Sequence, residues 1–321
     1  MMDPLEHLQM LKDRAAGVVP RQQDFRRVRS HQFATPGFDR TTWRAMCGKG
    51  WFADPGLPAR DLCALAEELG ADLAPEPLIE ASMAARLLPP GHRAAVKAGD
   101  QIVLPAWQEA SNTLGPAGET VWQDGSLIGR KLCIPMAAGA DAFLVTAGDG
   151  LAVVERGAPG VSLELRDTPD GGNLGTLTLD RAPAERIAGN ASEALEPTIL
   201  ACSAYLFGLM DRAWAMTREA PGAEQRAEDM RVQIEMTRAA LQTAANAVDG
   251  DAPLPQRQAA VSRTRLRATD AAIVVTRTCM QLQAGRAGLA ARDIELFHRK
   301  AMVRAALYGG ASAHRARLRA R

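Results

Sequence analysis

Chemistry in this chain would have to come from a few scattered residues. Near the C-terminus, Gln281 and Gln283 lead into Gly285-Arg286-Ala287-Gly288. Glycine lets a backbone approach a ligand closely. An arginine beside it can fork onto a phosphate, although a loop arginine is ordinarily just exposed. Further on stand Tyr308-Gly309-Gly310-Ala311 and a basic tail of Arg299, Lys300, Arg304, Arg315, Arg317, Arg319 and Arg321. That tail either meets phosphates or forms a solvated helix face. Glu196 precedes Pro197 at the start of a long apolar stretch, where a carboxylate suits the positive end of a helix. His298 and His314 have no Asp, Glu or Cys at a spacing that suggests a metal site or a catalytic triad. Cys47, Cys63, Cys133, Cys202 and Cys279 are scattered without a CxxC pair. This reads as a reducing cytoplasm with no structural zinc.

The elements that must position these residues fall into three stretches. Residues 1–98 read as helical. Asp39 or Thr41 caps a helix through Trp43, and Leu62, Leu65, Ala66 and Leu69 line one face of another, with Gly70 as its expected C-cap. Residues 1–30 are either a mobile arm or a packed helix. Residues 99–190 carry short apolar or alternating runs broken by Gly, Pro, Asp and Asn, the pattern of an antiparallel β unit. Gly148-Asp149-Gly150 is its clearest hairpin turn. Residues 191–321 hold four helical segments, Leu195–Arg218, Glu224–Val248, Pro255–Ala284 and Asp293–Arg319, the lengths of a four-helix bundle. The fold class is α+β.

Composition narrows the function classes. In 321 residues, 47% are apolar and only 4% aromatic, which favours an aliphatic, helix-rich core. A formal net charge of +1 gives no global case for nucleic acid. Met1 to Pro20 has no apolar signal-peptide core, and no run of 18 apolar residues exists to span a membrane. The expected location is the cytoplasm.

Taken in order, the motifs resemble the acyl-CoA dehydrogenase family. Trp43 with Gly50-Trp51, Leu65–Gly70 leading to Ala74–Pro77, and Gly129-Arg130-Lys131 followed by Ala140-Asp141 and Leu144–Ala147 sit where that family has similar strings. So do Gly208 with Asp211-Arg212-Ala213, the spacing from Gly285 to Tyr308-Gly309, and His314–Leu318. The resemblance implies an N-terminal helical domain, a middle β-barrel or sandwich and a C-terminal four-helix bundle. It also implies FAD as cofactor and α,β-dehydrogenation of an acyl-CoA thioester. There a carboxylate takes the proton α to the carbonyl while hydride leaves to the flavin.

The same resemblance assigns residues to roles and exposes gaps. Gly309 stands where many members keep the catalytic carboxylate, so Glu196, in Leu195-Glu196-Pro197, becomes the candidate base. Trp107 and Gln108 fall on the strand that touches the flavin. Cys133 and Pro135 replace the flavin wall, and Gln281, Gly285 and Arg286 fall at the cofactor-approach turn. The Arg-x-x-Phe-Gly loop that anchors a neighbour's FAD is missing between Met216 and Met230, and the glycine-rich N-terminal turn is trimmed to Asp54–Pro58. The expected activity is therefore that of a divergent acyl-CoA dehydrogenase. It would work as a homo- or hetero-oligomer with another acyl-CoA dehydrogenase subunit, on a bulky or unusual acyl-CoA of fatty acid or steroid side-chain catabolism. The alternative is a non-redox acyl-CoA-binding or scaffold protein on the same fold.

Overall fold

The computed structural model describes residues 4–19, 25–52, 56–110, 113–115, 118–148, 150–220, 222–284 and 289–320. The elements run α1 (Pro4–Ala16), α2 (Arg26–His31), α3 (Arg40–Cys47), α4 (Ala59–Ala71), α5 (Leu78–Leu87) and α6 (Pro90–Ala98). Eight strands follow: β1 (Val103–Ala106), β2 (Val121–Gln123), β3 (Ser126–Pro135), β4 (Ala142–Ala147), β5 (Gly150–Glu155), β6 (Val161–Asp167), β7 (Asn173–Pro183) and β8 (Glu185–Ile187). The chain closes with α7 (Ser192–Thr217), α8 (Glu224–Asp249), α9 (Leu254–Gln283), α10 (Leu289–Ala306) and α11 (Gly310–Arg319). Secondary structure thus changes character at Ala98 and again at Ser192. The compact units nevertheless interleave the chain. One comprises residues 1–30, 58–74 and 199–321, and the other residues 31–57 and 75–198.

The second unit holds two four-stranded sheets, ordered β1-β4-β5-β8 and β2-β3-β7-β6. The strand pairs are antiparallel, as the sequence pattern suggests, except that β1 pairs with β4 in parallel, Val103 opposite Ala142. The chain can make that pairing because β2 and β3, which belong to the other sheet, intervene and return it to the same end. β4 and β5 pair down to Ala147 opposite Gly150. The hairpin expected there is present, though Asp149 itself lies outside the described residues. Asp124 (φ 50°) and Gly125 (φ 77°) join β2 to β3, the positive-φ pair that a tight hairpin requires. Asp39 caps α3, accepting from the Thr41 and Thr42 amides, as its sequence position suggests.

In the first unit α8 and α9 form an antiparallel pair, and α9 packs on α10 and α11. α1 lies on α4, so residues 4–16 are a packed helix and not a free arm. Two expectations change. Gly70 does not cap α4, which continues to Ala71 with Asp72 at its C-cap. Instead a Cβ at Gly70 would come within 2.9 Å of the Tyr205 carbonyl carbon, and closer still to its oxygen. Gly208 on α7 faces Glu67 in the same way, 2.7 Å from its carbonyl carbon. The two glycines let the backbones of α4 and α7 touch. The fourth bundle segment is also not one helix: it breaks at Leu307–Gly309 into α10 and α11. Tyr308 (φ 56°), Gly309 (φ 94°) and Gly310 (φ 57°) are all left-handed there, a backbone that ends a right-handed helix.

Candidate functional site

The flavin-wall candidates gather in the second unit, where β1 leaves its sheet towards β3. Trp107, Gln108 and Glu109 follow β1 directly and are all buried. The Gln108 carbonyl accepts the Leu132 amide at 2.7 Å, joining this stretch to β3. β3 loses register with β7 between Lys131 and Ile134. Cys133, within that irregularity, has φ 56° and is half-buried, and Pro135 beyond buried Ile134 is half-buried too. Trp107, Gln108, Cys133 and Pro135 are thus carried by two neighbouring backbone segments. Burial raises the Cys133 thiol pKa, which disfavours the thiolate that a nucleophile would need.

Beneath them lies an ion pair that sequence reasoning did not single out. Lys131 Nζ donates to Glu109 Oε1 at 2.6 Å and to Thr146 Oγ1 at 2.9 Å. Both charged side chains are essentially inaccessible, at 0% and 1%. Glu109 also accepts the Thr120 amide at 2.8 Å and the Glu119 amide at 3.0 Å. Burial pushes the Glu109 pKa up, but Lys131 and these amides outweigh it and hold it at about 2. Burial lowers Lys131 as well, which favours its neutral form and so opposes the reading from Glu109. The geometry decides for the ionised pair, since every donor around Glu109 points at its oxygens and none would accept a proton back. Lys131 belongs to β3 of one sheet and Thr146 to β4 of the other, so the pair ties the sheets together. The available sequence signal was the Gly129-Arg130-Lys131 string. Gly129 (φ 156°) is needed because a Cβ there would strike Thr120.

Glu196 sits later in its helix than its sequence position suggests. α7 begins at Ser192, so Glu196 lies just past the first turn, is 5% exposed, and precedes a proline inside the helix. Gln281 is in the last turn of α9, its side chain exposed and its carbonyl bonded to the Ala284 amide; it belongs to the first unit. Gly285 and Arg286 lie outside the described residues. Gly309, also in the first unit, is the N-cap of α11.

The turn around Gly309 is clamped from below. Arg265 on α9, 1% exposed, donates through Nη2 to the carbonyls of Arg304 (2.5 Å), Ala305 (3.4 Å) and Leu307 (3.0 Å). A guanidinium in that place caps the negative end of α10. His314, fully buried, bonds the Tyr308 carbonyl through Nε2 at 3.0 Å and Ser262 Oγ through Nδ1 at 3.1 Å. Arg317 Nε donates to that same Ser262 oxygen at 2.8 Å. The Nε2–H tautomer follows: Nε2 donates to Tyr308 and Nδ1 accepts from the serine hydroxyl. Burial, then Arg265 and Arg317, pull the His314 pKa down to about 3.

Unfolded, His314 would titrate near its ordinary 6.5, so only the unfolded chain takes up its proton as pH falls from there towards about 3. Stability on this account is intact above the upper value and declines through that window. Between about pH 7 and about pH 5 the expected loss is about 2 kcal/mol. Urea unfolding of the wild type and of His314→Gln at both pH values checks this. The variant should show a flatter pH response.

Among the described residues no group of three His, Cys, Asp or Glu side chains could hold a metal ion, and no helix is long and apolar enough to cross a membrane. Cys47 and Cys279 are raised by burial to about 12 and about 11, so these thiols too are packing groups.

Residues 205–321 match the family described as acyl-CoA dehydrogenase, C-terminal domain. No curated protein sequence matches the chain. The Tcur3481–Tcur3483 steroid ACAD, in a variant form, superposes with a TM-score of 0.86 at 25% identity, covering 98% of this chain and 97% of that one. The ChsE4–ChsE5 complex from Mycobacterium tuberculosis gives a TM-score of 0.86 at 22% identity, covering 99% and 98%. Butyryl-CoA dehydrogenase from Megasphaera elsdenii gives 0.82 at 15% identity, covering 100% and 99%. Helices, two sheets and a C-terminal helical bundle in this order, with the full-length superpositions, give the chain the acyl-CoA dehydrogenase fold, and its residues 205–321 match that family's C-terminal domain.

Proposed function

We propose that this chain is a divergent subunit of a heteromeric acyl-CoA dehydrogenase, which removes hydrogen from the α and β carbons of a bulky acyl-CoA thioester. The carrying observation is the turn at Gly309. The resemblance puts the usual base there, yet the residue is a glycine at φ 94° between two further left-handed residues. An L side chain rarely adopts that backbone. Arg265 and His314 hold the turn by its carbonyls, so the segment is built around glycine and has not merely lost a side chain. Glu196 is the one candidate base in this chain; otherwise the carboxylate comes from the complete subunit.

The FAD that the family implies does not fit this chain alone. The Glu109 carboxylate beside the candidate wall is consumed by Lys131 and two amides. Cys133 and Pro135 offer no aromatic wall. The connection between α7 and α8 is only residues 218–223, with Arg218 folded over the Trp214 ring at 5.2 Å, so no long anchor loop reaches out. These gaps favour a flavin site completed by a partner. Two of the structures similar to this chain carry paired names, one of them a steroid ACAD, in keeping with a heteromer and a bulky substrate.

The test is a flavin spectrum of the chain purified alone and after co-expression with a complete acyl-CoA dehydrogenase subunit from its own genome. The expected result is a colourless chain alone and a yellow, active complex. Stoichiometric flavin and turnover from the lone chain would overturn the heteromer. A complex that forms without ever binding flavin would favour the non-redox scaffold. Within an active complex, loss of turnover in Glu196→Gln would assign the base to this chain, and unchanged turnover would assign it to the partner.

A further inference from the structure

The first unit contains a cavity of about 340 Å³ bounded by α1, α4, α7 and α8. Ligand pockets begin near this size. The space exists because Ala64, Ala204 and Ala245 meet where larger side chains would fill it, against the Phe207 ring and Leu241. Its two ends differ. At one, Glu67 takes Lys12 at 2.9 Å and lies 3.9 Å from Arg238, whose guanidinium stacks on Phe207 at 4.6 Å. Those charges are mutually satisfied and close that end.

At the other end stand Arg60 and Asn246. Asp249, the nearby carboxylate, is used up capping α4 through the Ala59 and Arg60 amides at 2.6 and 3.0 Å. Among the described residues the Arg60 guanidinium has no ion-pair partner, and neither the Gln242 nor the Asn246 side chain has a hydrogen-bond partner. Arg60 to Glu67 spans seven residues of α4, a trough of about 10 Å at 1.5 Å per residue.

We propose that this trough binds an amphipathic monocarboxylate, its chain along the alanines and Phe207 and its carboxylate on Arg60, with Asn246 and Gln242 as further donors. An apolar body with one anionic head matches an apolar floor with one uncommitted guanidinium, whose planar fork suits a carboxylate. The proposal does not depend on the redox reading, because no flavin-wall or base candidate lines the cavity.

Calorimetric titration of the full chain with decanoate tests it, with decanol and decyl phosphate in parallel. The expected result is saturable one-to-one decanoate binding and at least tenfold weaker binding of decanol. Arg60→Gln, an exposed change, should weaken decanoate about tenfold, as loss of a charged hydrogen bond does. Ala204→Leu should abolish binding by filling the cavity; if that variant does not fold, the Arg60 result decides. Equal binding of decanol, or decanoate binding unchanged in Arg60→Gln, would overturn the carboxylate role. Preference for decyl phosphate over decanoate would overturn the ligand class, and no saturable binding would overturn the site.

Discussion

Gly208→Ala is expected to destabilise the chain by about 3 kcal/mol, at the upper end of overpacking effects. The sign runs against local propensity, since alanine is the better helix former by about 1 kcal/mol. The new methyl would lie 2.7 Å from the Glu67 carbonyl carbon and nearer its oxygen. Backbone cannot rotate away as a side chain can, so α4 and α7 must separate. Gly70 makes the reciprocal approach to Tyr205 from the other helix, and relief at one site would open the other. The Tyr205 hydroxyl, which donates to the Ala74 carbonyl at 3.1 Å, shares this seam. Gly91→Ala supplies the control. It lies in a helix, nothing stands within 4 Å of its would-be Cβ, and the same substitution should stabilise by about 0.5 kcal/mol. Urea unfolding of both variants measures the pair. Equal effects at the two positions would remove the helix crossing as the cause.

That contrast also shows what was legible in the sequence. Helix and strand runs follow from local pattern, so the change of character at Ala98 and at Ser192, the Asp39 cap and the β4–β5 hairpin could be read directly. What depends on a distant chain segment could not. Gly70 has the local look of a C-cap, and only the carbonyl of Tyr205 makes it a crossing point. Asp293–Arg319 has helical periodicity throughout, and the break at Tyr308 becomes stable only because Arg265 and His314 take its carbonyls. The parallel β1–β4 pair hides for a similar reason, since strands from another sheet lie between its members in sequence. The candidate site was legible as family strings, which found Lys131 but not the carboxylate it neutralises. Glu109 lies 22 residues away, and no periodicity links them.

That pair gives the second large effect. Lys131→Met should cost about 3–5 kcal/mol, the range for leaving one member of a buried ion pair without its partner. Methionine fits the aliphatic course of the lysine, so lost volume contributes little. The cost lies in Glu109, held among residues that exclude water with only the Thr120 and Glu119 amides left to it. In the wild type Glu109 titrates at about 2, below its ordinary 4.5. It therefore contributes stability that is complete above the upper value and is lost as pH falls towards the lower one. Without Lys131, burial becomes the dominant influence and raises the carboxyl, so the variant should shed part of its defect as acid neutralises Glu109. The gap between wild type and Lys131→Met should accordingly be wider at about pH 7 than at about pH 4. Lys131→Met with Glu109→Gln should recover part of the loss at neutral pH, since the glutamine oxygen still accepts from an amide and no charge remains to be buried. A double-mutant cycle in urea gives the coupling directly. If the double variant were as unstable as the sum of the two single ones, the charges would not be interacting, and the join between the two sheets would rest on packing alone.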